Sequence, residues 1–369
     1  MAPWPGWMRL ACIAIIVTST LVAVGFDLSI HLLALAHHHG QVPGDFMQFW
    51  GNARRVLDPR AQLGAAAANL PYPPPFLLFT APLARLRPLY AYMVWILAGN
   101  VALVLAARVV DIPWKRIGLG LLAQPELFCI SMGQSGILVS AFLLVALGLA
   151  ARRPGLAGLA AGAVIIKPQF GLLLPLSYLA GGHRRAFFTA AGCVFALILL
   201  ATLCFGIGVW QHFGARPVAG AQGMLVSAWP AKFQIMMVTP LVTLRSLGME
   251  FWPAMAGQAL VSLAAGLGCW RLWRREMPVL LRLAPTLCLA ALATPYAYVY
   301  DLPGLALALA GLLGHMPRRG LAALTLLFGF TGAYGFLSVY YFSTGALFLA
   351  AILLIIWPYE HLRRPSLLY

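Results

Sequence analysis

Carboxylates are scarce in this chain. Its 369 residues hold nine Asp and Glu against 25 Lys and Arg, and only three of the basic residues are lysines (Lys115, Lys167 and Lys232). Charged residues make up 9% of the chain, against about 25% in a soluble domain. A soluble enzyme or binding module is therefore excluded. The six cysteines all fall inside apolar runs and none shows CxxC spacing, so a disulfide framework or thiolate metal site is excluded too. A P-loop is missing, which argues against direct ATP hydrolysis, and so are Gly-x-Ser-x-Gly and Glu-x-x-His. No two carboxylates stand three or four residues apart, so no metal cage can be built from the sequence.

What is present is apolar chain, with 62% hydrophobic residues. A span needs about 20 apolar residues, which leaves room for about 10–12 crossings. The runs are continuous and Leu/Ala-rich, unlike the short alternating segments of a β-barrel. The expected fold is all-α: a single polytopic membrane bundle over residues 1–369, with short broken helices and outer-face loops. The net charge of +16 does not point to nucleic acid, because the basic residues come as small clusters between apolar runs. Arg108/Lys115/Arg116, Arg152-Arg153, Arg184-Arg185, Arg271/Arg274/Arg275, Arg318-Arg319 and Arg363-Arg364 follow the positive-inside pattern of cytoplasmic loops.

Placing these clusters inside yields a topology with both termini cytoplasmic. The first span (about 10–30) is uncleaved and leads out to a long outer loop, 31–88. Further spans are expected near 89–108, 117–131, 137–151, 155–166, 170–181 and 186–209. A second outer segment, 210–250, carries an interfacial or re-entrant helix over 233–248, because Arg245 interrupts it. Spans near 253–271, 279–293, 302–314, 321–340 and 344–357 complete the bundle. The pieces 155–166 and 170–181 are short against a core of about 30 Å at about 1.5 Å per residue.

Sorting the acids by side isolates a few. Asp111, Glu276 and Glu360 neighbour cytoplasmic basic clusters, and Asp27 lies near the outer end of the first span. Asp45, Asp58, Glu250 and Asp301 fall outside, and Glu126 lies within a span, where an acid is functional or paired by default. Asp45 sits in Gly44-Asp45-Phe46-Met47-Gln48-Phe49-Trp50, followed by Arg54-Arg55 and by Tyr72-Pro73-Pro74. It is either a solvated loop residue or a catalytic base at the membrane surface. Lys167 interrupts an apolar stretch and precedes Pro168, a favoured first residue of a helix. An ammonium beside a helix N-terminus suits an anion; a snorkelling lysine is the other reading. Gln134, between Gly133 and Gly136, marks either a plain tight turn or a place where a ligand approaches backbone. Thr294-Pro295-Tyr296-Ala297-Tyr298-Val299-Tyr300-Asp301 is a late outer turn with three tyrosines and an acid. His37-His38-His39 reads as a polar loop, since adjacent residues do not converge on one ion.

Taken together these residues resemble the GT-C glycosyltransferases and, within them, glycosyltransferase family 87, which includes mannosyltransferase-like enzymes dependent on polyprenol-phosphate mannose. The resemblance rests on the order of Gly44-Asp45, Phe49-Trp50, Tyr72-Pro73-Pro74, Gly133-Gln134, Arg152-Arg153, Lys167-Pro168, Thr243-Leu244-Arg245-Ser246-Leu247-Gly248 and Thr294-Pro295 along about 260 residues. It implies an enzyme of a bacterial inner membrane with its active site on the periplasmic side. The implied donor is a polyprenyl-phosphate sugar carrying mannose or another hexose, and the acceptor a glycan or lipid. The first-loop acid carries over to Asp45 as the base. The late turn departs from the family pattern, with Tyr296, Tyr298, Tyr300 and Asp301 where Trp and His residues are common.

Transfer from such a donor has phosphate as its leaving group, so one base suffices and no general acid is required. Lys167 is the first choice to meet the phosphate, with Arg54, Arg245 and Lys232 as helpers. Gln134, Tyr300 and Asp301 join the substrate-binding set, and Trp50, Tyr72 and Tyr296 are candidates to stack on a sugar. A prenyl chain would lie in a lipid-facing groove between spans. No cofactor is expected, and a lone acid in Gly44-Asp45-Phe46 argues against a tightly held metal. A transporter or flippase with an anion site at Lys167 is the alternative, since broken helices and Glu126 suit a carrier.

Overall fold

The protein was analysed as a computed structural model, which describes residues 5–36, 42–58, 72–215, 223, 225–231 and 233–358. Among the described residues it is all-helical. Seventeen α-helices are joined by short 3₁₀ turns, and the one β-type pairing is an isolated antiparallel bridge between Met237 and Tyr298.

The chain opens with α1 (Gly6–Ala36), α2 (Gly44–Leu57), α3 (Pro75–Thr80) and α4 (Pro88–Val109). It continues with α5 (Trp114–Leu121), α6 (Gln124–Met132), α7 (Gly136–Gly148), α8 (Pro154–Ala163) and α9 (Leu174–Ala180). Then come α10 (Arg184–Phe205), α11 (Gly208–Ala215), α12 (Pro240–Ser246), α13 (Phe251–Trp273) and α14 (Val279–Ala293). The last three are α15 (Pro303–Leu312), α16 (Pro317–Tyr340) and α17 (Gly345–Ile356). Proline punctuates these elements: α3, α4, α8, α12 and α15 each carry it in their first turn, where its missing N–H has no helical partner to lose.

Helices α7, α14 and α15 are buried along nearly their whole length. Around them α4 packs on α7, α8 on α7 and α10, α13 on α14, and α5 on α15. Among the described residues two helices, α4 and α10, are long and apolar enough to cross a membrane. The outer surface of α10 is apolar, with Phe188, Phe195, Leu199 and Leu203 all exposed.

Several boundaries differ from the expectation. The segment 31–88, expected as an outer loop, contains a 14-residue amphipathic helix, α2, whose Phe46, Phe49, Asn52 and Ala53 are buried. These fall at i, i+3, i+6 and i+7, one face of a helix. The span expected over 117–131 is broken between α5 and α6, where Ala123 is extended and Pro125 starts a new helix. The helix expected over 233–248 is shorter. Gln234–Met236 is a 3₁₀ turn, Val238 N–H bonds the Ala297 carbonyl at 2.9 Å, and α12 begins only at Pro240. Pairing with the late turn holds this stretch extended, so a helix cannot run through it.

Candidate functional site

Four separate segments meet at one end of the bundle: the first turn of α2, the α6–α7 turn, the turn between α8 and α9, and the late turn before α15. Two glycines allow the approach. Gly133 ends α6 with φ of 68°, and a Cβ there would lie 2.6 Å from Phe46 Cβ. Gly136 opens α7 directly against the Tyr300 carbonyl, where a Cβ would overlap that oxygen. A side chain at the first would push α2 away, and one at the second would push away the late turn. Gly133→Ala is expected to melt well below the Gly155→Ala control, whose Cβ meets nothing within 4 Å. The left-handed backbone alone costs about 1–2 kcal/mol, and the contact with Phe46 adds to it. Equal melting temperatures would show that α2 does not depend on this contact.

A polar chain crosses this junction. Gln134 Nε2 donates to Asp45 Oδ2 at 2.7 Å, and Tyr72 Oη donates to Gln134 Oε1 at 2.8 Å. Ser135 Oγ donates to Tyr72 Oη at 3.2 Å. The phenol's donation fixes the amide orientation, since it takes the Gln134 oxygen and leaves the NH₂ for the carboxylate. Burial pushes the Tyr72 phenol up to about 12, against the pull of the Lys167 ammonium, so it stays a donor at neutral pH. Asp45 itself is partly exposed at the first turn of its helix.

Beside this chain lies a buried ion pair. Lys167 Nζ donates to Asp301 Oδ1, and the other Asp301 oxygen accepts the Tyr298 N–H at 3.1 Å. Burial by itself would lower the Lys167 ammonium, but Asp301, with Tyr72, more than offsets this and holds it above its ordinary range. The ammonium also lies 5.1 Å from the Tyr300 ring centroid and 5.8 Å from that of Tyr72, so it is caged by aromatic faces. Lys167 thus points inward and does not snorkel. Pro168 opens only a single 3₁₀ turn, Pro168–Gly171, and not an α-helix: Phe170 N–H bonds the Lys167 carbonyl at 3.1 Å, and α9 starts at Leu174. A cation facing an acid, rather than a helix N-terminus, is what the turn supplies.

Both features line one cavity of about 170 Å³. Asp45, Gln48, Phe49 and Tyr72 form one side, with Gln134, Lys167 and Gln169 adding polar atoms. Phe233, Tyr296, Tyr298 and Tyr300 add an aromatic wall. Tyr298 and Tyr300 stack at 4.8 Å, and Tyr296 meets Tyr298 edge-on at 5.2 Å. Such a cavity offers a carboxylate, an ammonium and flat aromatic surface to one ligand. Asp301 stands behind Lys167.

Other expected site residues lie elsewhere. Arg54 stacks on Trp50 at 5.1 Å, and the Trp50 indole donates to the Leu86 carbonyl at 3.1 Å, so neither lines the cavity. Arg245 donates to the carbonyls of Val226, Ser227 and Met249, tying two loops together. Lys232 and His37-His38-His39 lie outside the described residues. Glu126 is buried in the first turn of α6, away from the cavity lining. Gln48, Gln169, Phe233 and Tyr298 were not expected in the site. Tyr298 had a signal in the two-residue spacing of Tyr296, Tyr298 and Tyr300, although Val299–Asp301 is a 3₁₀ turn and not extended chain.

Comparison with curated proteins and with solved structures gives no match. A family model described as glycosyltransferase family 87 matches residues 70–295, more than half of the chain, covering Tyr72, Gln134 and Lys167 and ending at the start of the late turn. The protein is a glycosyltransferase and belongs to glycosyltransferase family 87.

Proposed function

We propose that the cavity between α2, the α6–α7 turn and the late turn transfers a hexose, such as mannose, from a polyprenyl-phosphate donor to an acceptor hydroxyl, with Asp45 as general base. The observation that carries this reading is the convergence of Asp45 and Lys167, 122 positions apart in the chain, on one aromatic-walled cavity. The acceptor hydroxyl gives its proton to Asp45 as its oxygen bonds to the anomeric carbon. The bond from that carbon to the phosphate oxygen breaks, and polyprenyl phosphate leaves with the electron pair. A single displacement inverts the anomeric centre. Lys167 donates hydrogen bonds to the phosphate oxygens as their charge grows. Its charge is already offset by Asp301, so Lys167 acts through oriented N–H groups more than as a bare cation. Tyr296, half-buried beside the stacked Tyr298 and Tyr300 rings, offers a flat face to the sugar. Gln134 holds the carboxylate in place through a 2.7 Å bond. The family assignment favours this chemistry over a carrier built on the same lysine.

The same reading sets the protein in an inner membrane, with the cavity on the periplasmic side and both termini cytoplasmic. The exposed apolar faces of α4 and α10 support it, since water-facing surfaces rarely carry contiguous apolar patches. Gln134 precedes α7, and the basic pair Arg152-Arg153 follows it. The 13 residues of α7 separate the two ends by about 20 Å at 1.5 Å per residue. An impermeant thiol reagent is expected to label Asp45→Cys from the periplasm and Arg153→Cys only from the cytoplasm. Labelling of both from one side would sink this topology.

The decisive assay supplies purified protein with a radiolabelled polyprenyl-phosphate hexose and candidate acceptors. Transfer with inversion is expected; a sugar nucleotide used in preference to the lipid-linked donor would overturn the donor assignment.

A further inference from the structure

The cavity leaves the Arg54-Arg55 pair unused, and the fold brings two more arginines to it. Trp50, under the Arg54 guanidinium, donates its indole N–H to the carbonyl of Leu86, which stands between Arg85 and Arg87. The 3₁₀ turn Ala81–Arg85 packs along α2. Arg54, Arg55, Arg85 and Arg87 are all exposed, and among the described residues none of them forms an ion pair. The acid nearest them in sequence is Asp58, the C-cap of α2. Asp45 lies at the other end of that helix, bound to Gln134.

Both membrane-length helices stop at this cluster. α4 starts at Pro88, directly after Arg87. Its 22 residues extend about 33 Å at about 1.5 Å per residue, close to a hydrocarbon thickness of about 30 Å. Its exposed side is apolar from Leu89 through Met93, Leu97 and Val101 to Leu105, and Arg108 closes the far end. α10 ends at Phe205, and its Ala201 and Phe205 cluster with Ala53 of α2 and with Ala81 and Ala84 of the turn. The last turn of α2 and the 3₁₀ turn thus sit where two apolar belts end, at headgroup depth.

Resting on the membrane placement proposed above, though not on the sugar chemistry, we infer that this arginine cluster binds the phosphates of anionic phospholipids in the leaflet on the cavity side. The positive-inside pattern accounts for basic clusters at the cytoplasmic ends of spans. These four arginines stand at the opposite end, where that pattern supplies no reason for them. Each guanidinium offers a planar fork of N–H donors to two phosphate oxygens. The exposed Leu57, Leu86 and Leu89 beside them suit the acyl region just below. A zwitterionic headgroup brings its own ammonium to the same place and an anionic one does not, so charge selects the anionic class. The arginines of α2 lie in its last turn and Asp45 in its first, so lipids held here anchor the helix that presents the carboxylate.

The test uses full-length protein in nanodiscs of mixed phosphatidylcholine and phosphatidylglycerol. A trace of either lipid carries a photoreactive group next to its glycerol backbone, and labelled residues are mapped by mass spectrometry. The phosphatidylglycerol probe is expected to label residues 50–57 and 85–90 at least about fivefold more than the phosphatidylcholine probe, the worth of one arginine near an anionic surface. Replacing the four by glutamine (Arg54→Gln, Arg55→Gln, Arg85→Gln and Arg87→Gln) is expected to bring the ratio to about one, while four lysines preserve the preference. If the glutamine variant does not fold, Arg85→Gln with Arg87→Gln alone is expected to lower the ratio. Equal labelling by both probes in the wild type, or a preference that survives the glutamines, overturns the inference while the membrane placement stands. Labelling of neither α2 nor α4 by either probe removes the placement and the inference with it. If unlabelled polyprenyl-phosphate hexose, present at a small fraction of the phosphatidylglycerol, abolishes the labelling, the cluster holds the donor and the assigned occupant is wrong. If sugar transfer fails but the preference holds, the sugar chemistry is wrong and the lipid site stands.

Discussion

Asp45→Asn is expected to lower the transfer rate by about 10²–10⁴-fold, the range for loss of a positioned general base, with little change in donor KM or thermal stability. The substitution is suited to the question because the new amide still offers an oxygen to Gln134 Nε2, whose 2.7 Å bond holds this position. The side chain is partly exposed at the first turn of α2, and the helix is held by the buried side chains of Phe46, Phe49 and Ala53. Only the capacity to take a proton is removed. The measurement is the initial rate of hexose transfer from the lipid-linked donor, beside donor KM and the melting curve. Undiminished transfer would remove Asp45 from its role. A fall in melting temperature matching the fall in rate would make the residue structural.

Lys167→Met is expected to destabilise the protein by about 3–5 kcal/mol, because breaking a buried pair leaves an uncompensated charge behind. Here that charge is Asp301, buried behind the cavity with only the Tyr298 N–H still bound to it. Adding Asp301→Leu to the same protein is expected to recover most of the loss, since apolar groups replacing both partners leave no buried charge. Activity separates the two roles of the lysine. The double variant should melt near wild type and still fail to transfer, because no ammonium faces the phosphate. A double variant that transfers at the wild-type rate would leave Lys167 purely structural. A single variant as stable as wild type would mean that the buried pair contributes nothing to the fold.

How much of this was legible beforehand depended on the range over which each feature is determined. The helices α14, α13 and α17 lie within about two residues of the apolar runs expected at 279–293, 253–271 and 344–357, because each is set by continuous local hydropathy. The α2 helix had a readable face in Phe46, Phe49, Asn52 and Ala53, yet its mean polarity and the prolines that follow made the whole stretch look like loop. Lys167 was recognisable as unusual because a lysine in an apolar stretch must do something. Its partner was not, since Asp301 lies 134 positions away and nothing local links the two turns.

Arg54, Arg245 and Trp50 illustrate the opposite error. Each is of a type suited to phosphate or sugar and lies in the expected segment, but each is occupied with a ring or a carbonyl outside the cavity. Residue type alone marks candidates, but which of them face the cavity is a property of the assembled bundle. The amino-acid order alone set the helical class, the scarcity of acids and the candidacy of Asp45, because composition and period act over one or two turns. Which of the candidates share a cavity was decided by tertiary structure. Gly133 and Gly136 let the backbones close to contact, and that approach joins Asp45 to Gln134 and sets Lys167 against Asp301.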